Sequence, residues 1–320
     1  VADTDDGWRP GASRATLQRR AQLLERVRRF LCTRGALEVE VPVLQGGANL
    51  DPGIAPFRLD GPGGARWLPT SPEHPLKRLV AAGCGDVWAL HPAFRAGERS
   101  RRHRPEFRML EWYRIGWDDR RLLGEVVELL AELTGLDGPC TVLPWRQALE
   151  RHTGVDPFTA GEDALAAALG ADAGVVRGGD GRLDRDAAAD LLLATRVEPH
   201  LGRGEWTAIT DYPPRLAAQA RTRPDPRGEQ VAARFEVYRD GLELANGYWE
   251  LTDAAELVAR LDAERRTRAD APGRDARFEA AMAAGLPACA GVAVGFDRVV
   301  MLALGLTDLG ETMAFPWERA

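Results

Sequence analysis

Residues 234–251 read RFEVYRDGLELANGYWEL, two runs alternating apolar and polar on either side of Asp240-Gly241. Alternation marks half-buried strands, and Asp-Gly is the commonest composition of a two-residue hairpin turn. The segment is predicted as a β-hairpin, which commits the fold to an antiparallel sheet. With the turn at 240–241, Arg239 pairs with Leu242 and Tyr238 with Glu243, so side chains 236, 238, 243 and 245 share one face. Glu236 and Glu243 then point the same way from neighbouring strands. Adjacent carboxylates repel unless a cation sits between them. They are either a magnesium pair beside nucleotide phosphates or part of a solvated sheet face. Glu250 has the opposite parity. It either caps the next helix or is turned back by a bulge at Asn246-Gly247.

Around this hairpin the chain alternates helices and strands. Leu17, Ala21, Leu24, Val27 and Leu31 form a stripe that predicts an amphipathic helix over 16–34, ended by Gly35. ALEVEVPVL follows as a strand with Pro42 at its edge or end. Residues 50–70 are Gly/Pro-rich and end in the short strand ARWLPT. SPEHPLKRLVAAG starts a helix at Ser71-Pro72-Glu73. DVWALHPAFR and RMLEWYRIGW are strands joined by a basic loop, and 119–137 is a helix. The pattern weakens over about 140–230, an expected partly helical insertion between two parts of one sheet. A charged helix over 253–270 precedes GVAVGFDRVVMLALG, a strand running into an apolar helix. The expected fold class is α+β, an antiparallel sheet flanked by helices, in a single domain over 1–320.

Two counts narrow the chemistry. Lys77 is the only lysine among 42 lysines and arginines, and it lies in SPEHPLKRLV, so a Walker-type phosphate loop is excluded. Cys32, Cys84, Cys140 and Cys289 stand far apart, which predicts reduced and mostly buried thiols rather than a zinc site. The net charge of −6 is unlike that of a general nucleic-acid binder. With no apolar signal core near the N-terminus, a cytoplasmic address is expected. Six arginines, Arg95, Arg99, Arg101, Arg102, Arg104 and Arg108, crowd one strand–loop–strand. They are either a phosphate-binding cluster or a soluble surface loop. Arg298, after Gly295-Phe296-Asp297, is either a phosphate ligand at a helix start or half of a surface ion pair.

Three stretches resemble, in order, the signature motifs of class II aminoacyl-tRNA synthetases. RGALEVEVPVL resembles motif 1, the dimer-forming helix–strand; FRAGERSRRHRPEFRMLEWYR resembles motif 2; GVAVGFDRVVML resembles motif 3. SPEHPLKRL, HRPEFRMLEWYR and RFEVYRDGLELANGYWELTD are similar to the lysine-specific subgroup. LEWYR, RFEVY, GLELANG, RVEPHLG and AFPWERA resemble most its stand-alone paralogues, the elongation factor P–(R)-β-lysine ligases. The resemblance spans nearly the whole chain and is weakest over 160–195. It implies a homodimer that uses ATP and Mg2+, with elongation factor P as acceptor. Only about fifteen residues precede the first helix, so no OB-fold anticodon domain is expected.

The resemblance also implies roles. Arg95 would hold the ATP α-phosphate and Arg298 the γ-phosphate. Glu236 and Glu243 would hold magnesium, while Leu244 and Gly295 border the nucleotide. Ser71, Glu73, Tyr113 and Glu250 would line the amino-acid pocket, and Ala293 would place a methyl group in it. Two positions depart from the pattern. The motif 2 glutamate that contacts adenine arrives one residue late, as Glu98, and Arg104 replaces an asparagine. The implied chemistry is formation of an aminoacyl-adenylate, then of an amide with a lysine of the partner protein. The rivals are a tRNA-aminoacylating enzyme and an inactive synthetase-like regulator.

Overall fold

The first helix, α1 (Arg14–Thr33), starts behind Ser13, whose hydroxyl accepts the Thr16 N–H. The computed structural model describes residues 8–50, 53–268 and 272–320. Helix α1 buries Leu23, Val27, Phe30 and Leu31. Ala21, expected on that stripe, is exposed, because the buried arc lies across the helix from it. Only Leu37–Glu38 of ALEVEVPVL form a strand, β1. The Val39 N–H still bonds Trp88 O, but the chain leaves the ladder before Pro42, which has no donor to offer.

A small hairpin follows, β2 (Arg58–Gly61) and β3 (Gly64–Trp67). Helix α2 (Glu73–Ala81), strands β4 (Val87–Phe94) and β5 (Glu106–Ile115) and helix α3 (Asp119–Thr134) come next. Residues 140–230 are partly helical, as expected, and also hold strands. They hold β6 (Cys140–Pro144), α4 (Trp145–Thr153), α5 (Glu162–Leu169), α6 (Arg185–Leu192), β7 (Trp206–Tyr212) and β8 (Thr222–Pro224). The hairpin is β9 (Gln230–Arg239) and β10 (Leu242–Trp249). Asp240 (φ 50) and Gly241 (φ 67) both take left-handed conformations, as a two-residue turn of this hand requires. Helices α7 (Ala254–Arg266) and α8 (Ala276–Gly285), strand β11 (Cys289–Gly295) and helix α9 (Phe296–Ala303) complete the chain. Of the expected 50–70 and 253–270 segments, residues 51–52 and 269–270 lie outside the described residues.

The chain forms two compact units. The first runs to Leu136 and adds Ala218–Arg221 and Gly247–Ala320; the second is Asp137–Ala217 with Thr222–Asn246. In the first, the strand order is β1-β4-β5-β11, with the end of β10 beside β11. Pairings β4–β5 and β5–β11 are antiparallel, whereas β1–β4 is parallel. One face packs Val87, Ala89, Tyr113 and Cys289 against Leu76 and Val80 of α2, Leu257 and Leu261 of α7, and Phe278 and Met282 of α8. The other face carries Trp112 and Arg114, both bonded to Glu125 of α3. In the second unit the order is β10-β9-β7-β6, with β8 beside β9 and a parallel β6–β7 pairing. The architecture is α+β with helices flanking the strands, and antiparallel pairing gives way to parallel pairs at β1 and β6.

The thiols are less hidden than expected. Cys289 is buried and Cys140 half-buried, but Cys32 and Cys84 are exposed, near the end of α1 and in the turn after α2. No helix among the described residues is long and apolar enough to cross a membrane.

Candidate active site

Alternation along β5 puts Met109, Glu111 and Tyr113 on the α2 side of the first unit. Their partners across β11 are Gly295, Ala293 and Gly291. Helix α2 begins where Ser71-Pro72 turns the chain. The Ser71 hydroxyl accepts the Glu73 N–H and donates to Glu111 Oε2. Tyr113 donates its phenol to Glu111 Oε1 at 2.8 Å. One helical turn beyond Glu73, Lys77 Nζ lies 2.5 Å from Glu73 Oε1, 2.7 Å from Glu250 Oε2 and 3.0 Å from Gln219 Oε1. Asn49 Nδ2 donates to the other oxygen of Glu73 at 3.1 Å. The structure thus brings Ser71, Glu73, Tyr113 and Glu250 together, with Ala293 opposite Glu111.

Glu250 arrives by a route that parity did not show. Strand β10 ends at Trp249, and Glu250, 1% exposed, bonds Cys289 O through its N–H. It does not cap α7; Asp253 does, accepting the Ala255 and Glu256 N–H groups. Glu111, Lys77, Asn49 and Gln219 had not been assigned to the site. The signal for Glu111 was its spacing of two from Tyr113 on a strand.

Burial governs the protons here. Desolvation, then the Glu73 charge, push the Glu111 carboxyl up to about 8 despite its bonds from Ser71 and Tyr113. Burial also raises Glu250, against the pull of Lys77. Burial alone would lower Lys77, but Glu250 and Glu73 outweigh it and hold the ammonium above its ordinary range. The pocket is therefore an acidic cluster partly neutralised by protons, and it can exchange those protons for an incoming ammonium.

A second group of residues surrounds the loop between β4 and β5. The Arg95 guanidinium lies over the Phe107 ring, 5.1 Å from its centroid, and pairs with Glu98 at 3.7 Å. Arg298 is in the first turn of α9, and its Nη2 is 2.8 Å from His103 Nε2. A guanidinium only donates, so Nε2 accepts and the imidazole proton sits on Nδ1, facing Ser100 Oγ at 2.8 Å. Burial and then the Arg298 charge lower the His103 pKa, with Arg95 acting in the same sense. Arg298 folds back beside Gly295, where a Cβ would meet its Cδ at 3.4 Å, an ordinary van der Waals contact. Asp297 is buried and pairs with Arg20, so it does not form a surface pair with Arg298. Arg104 belongs to the same loop, its guanidinium donating to the Ser100 and His103 carbonyls. It also donates to Asp308 at 2.6 Å and lies 3.6 Å from Glu318. Arg99 also pairs with Glu318.

In the second unit, Glu236 accepts from the Tyr212 phenol at 2.6 Å, from the Tyr238 phenol, and from Arg234. Burial and then Glu236 raise the pKa of both phenols, and Glu243 adds to the effect. Glu243 is half-buried, while Leu244 is buried at 2% exposure. Among the described residues no group of three or more His, Cys, Asp or Glu side chains gathers for a metal. The residues offered here are two hard-oxygen carboxylates acting on the same phenols. That set fits a magnesium ion, which takes one or two carboxylates and fills its other positions with phosphate and water.

Residues 7–319 match the family model described as tRNA synthetases class II (D, K and N). A Klebsiella pneumoniae protein named elongation factor P–(R)-β-lysine ligase is 43% identical over 98% of both chains. A Salmonella dublin protein of the same name is 42% identical, again over 98% of each.

Proposed function

The chain belongs to the class II tRNA synthetase family, and from that premise we propose that it activates (R)-β-lysine, or lysine, with ATP and transfers it to a lysine side chain of elongation factor P. The observation that carries the reading is the buried acidic pocket of Glu73, Glu111 and Glu250 with Tyr113, whose chemistry suits a substrate bearing two ammonium groups. The chain covers 98% of relatives that bear the ligase name.

In the first step a carboxylate oxygen of the amino acid attacks the α-phosphorus of ATP in line. The bond to the β-phosphate breaks, and pyrophosphate leaves with the electron pair. Arg95 holds the α-phosphate and Arg298 the γ-phosphate, and their fixed charges offset what develops in transit. Gly295 and Leu244 border the nucleotide. Glu236 and Glu243 would hold magnesium, with Tyr212, Tyr238 and Arg234 fixing the Glu236 carboxylate. When bound, the metal supplies neutralisation of phosphate charge. In the second step the acceptor's ε-amine attacks the anhydride carbonyl. A C–N bond forms, AMP departs, and the amine loses one proton. The exposed Arg99, Arg101 and Arg102 favour an acceptor with an acidic surface. Leu37 and Leu44, 54% and 57% exposed around the motif 1 stretch, support a homodimer. The reading also places the enzyme in the cytoplasm.

Pyrophosphate exchange with a panel of amino acids, followed by transfer to elongation factor P or tRNA-Lys, tests the proposal. Exchange should require a diamine acid, and label should reach the protein. Efficient charging of tRNA with the protein inert sinks the ligase reading. Glu243→Ala and Arg298→Ala should each abolish exchange without unfolding the chain, and retention of exchange by both points to an inactive-site assignment error.

A further inference from the structure

Lys77 is the only lysine in the chain, and it is 1% exposed at the centre of the buried acidic cluster. Every other basic side chain of its class is an arginine. An ammonium is compact and carries three donors, and three acceptors surround this one: Glu73, Glu250 and Gln219. A guanidinium is planar and larger, and could not meet them in the same space. Resting on the proposed function, we infer that Lys77 is a positioning residue which acts as a built-in ammonium, setting how much negative charge the pocket leaves for the two ammonium groups of its substrate.

The charged groups facing this cluster come from every wall. Helix α2 gives Glu73 and Lys77; β5 gives Glu111 and Tyr113; the end of β10 gives Glu250; β11 gives Cys289. Arg221 is committed to the Glu250 carbonyl and the Thr252 hydroxyl. Glu73 and Glu250 therefore share one ammonium, while Glu111, pushed up to about 8 by burial, can give up its proton to match an incoming ammonium. Lys77 also fixes geometry, because it holds one oxygen each of Glu73 and Glu250. Asn49 Oδ1 is buried beside Glu73 without a hydrogen-bond partner, an acceptor suited to a further N–H donor. Without Lys77, Glu250 loses the charge that opposes its protonation by burial, and a protonated carboxyl does not bind an ammonium as an ion pair.

The test exploits the single lysine. Full-length protein labelled with 15N-lysine has one side-chain nitrogen signal. That signal should persist as an ammonium from pH 5 to 9 and shift when lysine or (R)-β-lysine is added, but not with valine. In pyrophosphate exchange, Lys77→Met should raise KM for the diamine by about tenfold or more with little change in kcat, and move the acid limb of kcat/KM upward by about one pH unit. Lys77→Arg should not rescue it. Should Lys77→Met fail to fold, the signal of the unaltered protein decides alone. An activated diamine that leaves the signal unmoved overturns the inference and spares the proposed function, as does a Lys77→Met that merely melts earlier with KM and pH limb unchanged. A signal that moves in an enzyme activating no amino acid supports the inference and overturns the proposed function.

Discussion

Gly291 lies directly across the β5–β11 ladder from Tyr113, and a Cβ on it would stand 2.4 Å from Tyr113 Cε1 and 2.5 Å from Glu250 Oε1. No real side chain tolerates such contacts, so the absence of a Cβ is what allows the phenol and the carboxylate to converge. Gly291→Ala should displace one of them. Overpacking of this kind costs about 1–3 kcal/mol of stability, and the displaced group should raise KM for the diamine while ATP binding persists. Melting curves and pyrophosphate exchange check it; an unchanged KM would mean that the pocket opens elsewhere.

Glu111 predicts a pH dependence of an unusual sign. Its folded-state pKa of about 8 exceeds the ordinary 4.5, because burial and the Glu73 charge oppose ionisation. The folded state then binds the proton that the unfolded state has released. Stability is fully present below about 4.5 and is lost progressively as pH rises to 8, by at most about 1.4 kcal/mol per pH unit for one proton. Ligand-free melting temperature should fall across this window. Glu111→Gln keeps a donor and an acceptor for Ser71 and Tyr113 but cannot titrate, so it should flatten the fall. Glu250, also raised by burial, should leave part of the slope. An identical slope in the variant would remove Glu111 as its source.

The pocket was partly legible in the sequence. The hairpin could be read because its period of two and its Asp240-Gly241 turn are local signals, and both appear in the backbone. Glu250 could not be oriented by strand parity, since the strand stops one residue before it. CTVLP and WTAITDY are β6 and β7 inside a stretch expected as a partly helical insertion, in which the pattern locates no strand. Their parallel pairing joins residues some sixty positions apart through a helical crossover, which no short window reveals. Asn49 and Gln219 sit in irregular segments, and only the folded chain brings them to Glu73 and Lys77.

An enzyme that releases a reactive aminoacyl-adenylate exposes its own amines to it. Here the one ε-amine is Lys77, buried, charged and bonded to three acceptors. Attack on the adenylate needs the neutral lone pair. The chain should therefore stay unmodified at side chains after incubation with ATP, magnesium and (R)-β-lysine in the absence of acceptor. Peptide mass mapping checks this. Arg102→Lys puts an exposed amine on the loop whose Arg102 carbonyl receives Arg298, and it should acquire label. Label on Lys77 would contradict its closure.

We propose that Ala293 sets the choice between α-lysine and (R)-β-lysine. The residue is half-buried, opposite Glu111, on the same face as Gly291 and Gly295. Its methyl group therefore lies on the side of the strand where Gly291 makes room for Tyr113 and Glu250. A β-amino acid carries its amine one carbon further from the carboxylate than an α-amino acid does, so the same acidic cluster meets the two isomers at different depths. A misfit methylene is worth about 1–3 kcal/mol of discrimination, or roughly 10–200-fold. Ala293→Gly should raise α-lysine activation by about tenfold and leave (R)-β-lysine nearly unchanged. Pyrophosphate exchange with both isomers, on both proteins, decides it. If the ratio does not move, Ala293 is ordinary strand packing and the preference must come from the carboxylates themselves, above all from how Lys77 divides them.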